Sequence, residues 1–109
     1  MRMWLVPPKI MCDQHLLGEH FEMHMFVGTI LKKKSIKGYL DNGLIEVPML
    51  KFRHNELVEE MMLRGMKHNS PLDKFLYKGR MGHISREKSK KELLDRCESC
   101  RKKMEESKC

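Results

Sequence analysis

The apolar residues between positions 16 and 31 limit the fold more than any other feature. Leu16, Leu17, Met23, Phe26, Val27, Ile30 and Leu31 recur at helical spacing, which gathers them on one face of an α-helix. The spacing predicts a helix from Asp13 to Lys34. Asp13 suits its N-cap, and Lys32, Lys33 and Lys34 complement the negative end of its dipole. An amphipathic helix must bury its stripe against other elements. Leu50, Leu57, Val58, Met61 and Met62 repeat the pattern and predict a second helix over Pro48–Arg64, with proline at its first position and Gly65 beyond its end. A third helix is expected from Ser85 into the tail, where Leu93 and Leu94 are nearly the only aliphatics.

Between these segments, "SIKGYLDNGLIEV" (35–47) breaks the helical pattern. Its "DNG" turn suggests a small irregular hairpin. In the linker at 66–83, "SPLD" reads as a short helix capped by Ser70 with Pro71 first. Ahead of the first helix, Pro7 and Pro8 lock two φ angles and favour an extended arm over 1–11, pinned by Trp4, Leu5 and Val6. The expectation is an all-α fold. One compact domain spans 1–109, with three main helices, an N-terminal arm lying across them and a helical tail over 85–109.

Lys and Arg number 22 against 15 Asp and Glu, a net charge of +7. That excess suits a polyanion, nucleic acid first and a membrane surface second. The 11 methionines read as adaptable core filler. No run approaches the roughly 20 apolar residues of a membrane span. "MRMWLVPPK" is too short and proline-broken for a signal peptide. A cytoplasmic protein with reduced thiols follows as the expectation. Cys97 and Cys100 form a C-x-x-C that could join Cys109 and His83 around zinc. A single such motif with charged flanks is a weak signal, so no metal and no cofactor are expected. Cys12 reads as a small buried residue.

His15, Glu19 and Glu22 fall at i, i+4 and i+7 of the first helix and share a face with Gly18. This could be no more than a solvated polar stripe. The arm offers a second reading. Twelve residue steps from Met1 to Asp13 reach about 40 Å when extended. Glu22, nine residues into the helix, lies only about 14 Å along its axis. The arm can therefore double back and set the Met1 amine beside Glu22. An α-amine with an ordinary pKa of about 7.7–8.0 keeps a neutral fraction able to form a Schiff base. Arg2 is too bulky for aminopeptidase, so Met1 should be retained.

"DQHLLGEHFEMHMFVG" resembles the first helix of the phage endonuclease V, or pyrimidine dimer DNA glycosylase, family. The likeness lies in Asp-Gln-His-Leu, the following Glu-x-x-Glu, and a Phe and Gly near Phe26 and Gly28. That family's nucleophile is the amine of its first residue, followed by Arg, and Glu22 lies 21 positions after Met1. "KFRHNELVEEMMLRGM" resembles its second helix, and bacterial relatives begin "MRLW". The likeness is clearest over 1–66. Phe21 and Met25 stand where the phage enzyme has phosphate-binding arginines. The resemblance implies a DNA repair glycosylase with an AP lyase step, acting as a monomer on double-stranded DNA that carries a pyrimidine dimer, another lesion or an abasic site. It implies Met1, Glu22 and His15 as catalytic residues, and Arg2, Gln14, Lys51, Arg53 and His54 as DNA contacts. The alternatives are a non-catalytic basic DNA-binding module of the same fold, or a zinc-stabilised helical interaction protein.

Overall fold

A computed structural model describes residues 1–68, 72 and 81–107. Its elements are helical, with no strand among the described residues. The arm carries a 3₁₀ turn at Pro8–Ile10 and leads into α1 (Asp13–Leu31). A short α2 (Lys37–Asp41) follows. A second 3₁₀ turn, Val47–Met49, enters α3 (Leu50–Leu63). The chain ends in α4 (Arg86–Arg96) and α5 (Glu98–Ser107). No helix among the described residues is long and apolar enough to cross a membrane.

α1 and α3 form the main helix pair, and α5 packs on α4 and on the Pro8–Ile10 turn. Leu16, Met23, Phe26 and Val27 of α1 meet Leu50, Leu57 and Met61 of α3 in the core, joined by Leu93 and Cys100 from the last two helices. Each such side chain contributes about 1.5–3 kcal/mol when fully buried. The arm belongs to this core. Met3, Trp4, Leu5, Val6, Ile10 and Met11 are all buried. Leu5 adopts φ 51°, a left-handed conformation that leucine rarely takes. That bend breaks the side-to-side alternation of an extended chain and lets four consecutive residues, Met3 to Val6, be buried.

Polar contacts hold the arm in place. The Met3 amide donates to the Leu44 carbonyl at 2.8 Å, and the Ser89 hydroxyl donates to the Trp4 carbonyl. Arg64 reaches from the end of α3 to Asp13 at 2.9 Å and to the Pro8 carbonyl at 3.0 Å. Gly82 explains how the returning chain reaches this layer. Its φ is 88°, and a Cβ there would stand 2.2 Å from the Ile45 carbonyl oxygen. Only glycine allows that approach, which sets the Met81 carbonyl 2.9 Å from the Val47 amide.

Several local expectations are corrected. α1 ends at Leu31, before the lysines. Its cap position is Cys12, not Asp13, whose carboxylate turns to Arg64. Residues 37–41 form a helical turn in place of a hairpin strand. The third helix is two helices, because Cys97 is extended at φ −125°, ψ 107°. Gly65 does sit just past α3 with φ 79°. The capped helix start at Ser70 and Pro71 lies outside the described residues, as does Cys109.

Candidate functional site

The arm and α1 enclose one side of a pocket of about 510 Å³. Met1, Arg2 and Trp4 come from the arm and His15 and Glu22 from α1, with Leu44, Glu92 and Arg96 completing the lining. The chain doubles back so closely that the Arg2 amide donates to Glu22 Oε2 at 3.3 Å. Glu22 is half-buried. Burial pushes its carboxyl above the usual carboxylate range, while the Arg2 amide and the N-terminal charge pull it partly back. The Trp4 ring meets His15 edge-on, with centroids 5.8 Å apart.

Arg2 is held from three sides. Its guanidinium lies 3.9 Å over the Trp4 ring, with Nη1 2.6 Å from Glu92 and Nη2 3.4 Å from the Ser89 hydroxyl. Its Nε is buried with no partner. The Arg2 guanidinium keeps the Glu92 carboxyl below its ordinary value.

The structure thus brings Met1, His15, Glu22 and Arg2 to one pocket. Glu19, expected on the same face, is turned into the core. There it forms a two-point ion pair with Arg53, at 2.6 Å to Nε and 2.8 Å to Nη2. Arg53 is 1% exposed and also donates to the Val6 carbonyl and Glu56. Burial alone would lower its pKa, but the Glu19 and Glu56 carboxylates together outweigh that and hold it above its ordinary value. Arg53, expected as a DNA contact, thus has its donors engaged inside the protein. His54, also expected as a DNA contact, is equally buried, 3.0 Å from Asn55 Oδ1 and 3.1 Å from His24 Nε2. Gln14 is exposed and Lys51 partly so, and neither lines the pocket.

Two clusters escaped the sequence reading. His20, His24, His54 and His68 bring four ring nitrogens within 4.8 Å of one another. Burial, reinforced by its three neighbours, lowers His20 to about 4, so it is neutral near pH 7. Its Nε2 is buried without a partner. The i, i+4 spacing of His20 and His24 was the available signal, but their partners come from distant sequence. The second cluster is Cys12, His15, Cys97 and Cys100. Burial pushes the Cys100 thiol up to about 12. His83, expected beside the C-x-x-C, is exposed and lines a different pocket, of about 330 Å³.

Outside the pocket, α1 presents Leu17, Phe21 and Met25 to solvent, with Phe21 62% exposed. Their spacing makes one stripe on the helix.

A family model described as pyrimidine dimer DNA glycosylase matches residues 1–74, which hold the arm, α1 and α3. No curated protein and no solved structure matches the chain.

Proposed function

The chain belongs to the pyrimidine dimer DNA glycosylase family, and on that premise we propose that the Met1 α-amine is its nucleophile and Glu22 its acid–base group. DNA is the substrate the family implies. The neutral amine attacks C1′ of the damaged nucleotide, the N-glycosidic bond breaks, and the base leaves with its electron pair and takes up a proton. Ring opening gives an imine between Met1 and the sugar. Removal of a C2′ proton then expels the 3′ phosphate by β-elimination, and water hydrolyses the imine to free the amine.

One observation carries this reading: Met1 and Glu22 line the same pocket, with the Arg2 amide bonded to the Glu22 carboxylate. A half-buried carboxyl with a raised pKa stays protonated to higher pH than an exposed one, which suits it to proton delivery as the sugar ring opens. Once ionised it faces the developing positive charge and accepts the C2′ proton. His15, on the pocket wall, offers a donor to the sugar or its phosphate. Arg2 and Arg96 supply positive charge at the rim, and Gln14 and Lys51 are the remaining candidate contacts to the duplex.

Glu22→Gln tests the assignment. Binding to a dimer-containing duplex should stay within about threefold of wild type, while strand cleavage should fall by about two to four orders of magnitude, the range typical of a positioned acid–base group. Parallel loss of both would assign Glu22 to architecture.

A further inference from the structure

Cys12, His15, Cys97 and Cys100 bring four ligand atoms within 4.8 Å of one another. We propose that they form a closed Cys3His site for one structural zinc ion, stapling the start of α1 to the tail. Cys12 Sγ and Cys97 Sγ are 3.8 Å apart, and His15 Nδ1 lies 3.2 Å from Cys12 Sγ and 3.7 Å from Cys100 Sγ. Tetrahedral zinc, with Zn–S near 2.3 Å and Zn–N near 2.0–2.1 Å, requires ligand separations of about 3.5–3.8 Å. Three of the six edges already lie between 3.2 and 3.8 Å, and all six lie within 4.8 Å.

The backbone is arranged for thiolates as well. The Cys12 amide donates to Cys100 Sγ at 3.3 Å and the Cys100 amide to Cys97 Sγ at 3.4 Å. Amides aimed at sulfur are the supporting contacts expected around metal-bound thiolates. The helix break belongs to the same design. "DRCESC" contains neither glycine nor proline, yet the chain is extended at Cys97. That break sets Cys97 just ahead of α5 and Cys100 in its first turn, matching the i, i+3 pair that Cys12 and His15 make at the start of α1.

A disulfide is a poorer account. It would pair two sulfurs and leave the third thiol and the imidazole without a task, and all three cysteines are free. Three soft sulfurs and one imidazole, with Cys100 fully buried, favour zinc with no open position. The tail needs such a staple, since Cys100 is the buried core residue that α5 contributes among those described. Ligation through Nδ1 would leave Nε2 of His15 as an N–H donor on a ring that lines the pocket. The inference does not rest on the glycosylase reading, because metal content is measurable whether or not the protein cuts DNA.

The test uses full-length, untagged protein purified from zinc-supplemented medium. One zinc per chain is expected, and zinc-edge X-ray absorption should show three sulfurs near 2.3 Å and one nitrogen near 2.0–2.1 Å. Cobalt substitution should give thiolate-to-metal charge-transfer bands. Cys97→Ser and Cys100→Ser should abolish those bands, and Cys109→Ser should keep them. If the first two variants fail to fold, the wild-type spectra decide alone. Metal-free wild-type protein would overturn the proposal. So would a metal with nitrogen ligands and no sulfur, which would place it at the histidine cluster.

Discussion

Glu19 and Glu22 are one turn apart on α1 and meet opposite surroundings. Glu19 is 0% exposed and paired with Arg53 through two hydrogen bonds. Truncating either partner strands a buried charge, so Arg53→Ala should cost about 3–5 kcal/mol in denaturant unfolding. The double variant Arg53→Met with Glu19→Leu should recover most of that loss; a single-variant cost below 1 kcal/mol would contradict the account. At Glu22 the Arg2 amide and the N-terminal charge offset burial only in part, and its pKa is raised chiefly by burial. A carboxyl that holds its proton more tightly when folded loses stability as pH rises from its unfolded value through its folded one. Glu22→Gln should therefore melt above wild type at neutral pH and match it in acid. A lower melting temperature at neutral pH would mean that the charge stabilises the fold. Sequence spacing could put His15, Glu19 and Glu22 on one face, but not tell which carboxylate would meet a buried arginine from a helix 34 positions away.

At the scale of elements, α1 was legible because its period is local. Its exact ends were not, since the lysines after Leu31 are compatible with either helix or exit. The split between α4 and α5 was invisible for a related reason. Nothing in "DRCESC" disfavours helix, and the break goes with sulfur partners 85 and 88 positions away. The exposed stripe of Leu17, Phe21 and Met25 adjoins Glu22 on α1. Phe21 is 62% exposed, so Phe21→Ala should change stability by no more than about 0.5 kcal/mol. If the ring stacks on a base beside the lesion, the same change should weaken binding to damaged duplex by about 1–3 kcal/mol, measured by titration. Unchanged affinity would remove α1's apolar stripe from the interface.

For the whole molecule, the arm ties the parts together. It fills the core, meets Leu44 and Ser89, and brings the first residue of the chain to a glutamate on the first helix. The all-α class and the returning arm were readable from helical periods, two prolines and a length argument. The pairing of Arg53 and the gathering of four histidines depend on long-range packing, which no single segment encodes. The net charge of +7 implies strong displacement of counterions from DNA. Affinity should fall about a thousandfold between 50 and 200 mM salt, the loss expected for about six phosphate contacts. A flat salt profile would argue against a phosphate-tracking interface. The central claim is that chemistry begins at the Met1 nitrogen. Borohydride reduction during reaction with a dimer-containing or abasic duplex should trap a covalent protein–DNA adduct, with peptide mapping placing it on Met1. Capping the N-terminus with an extra segment should abolish the adduct. An adduct that persists on a lysine when Met1 is blocked would contradict the account.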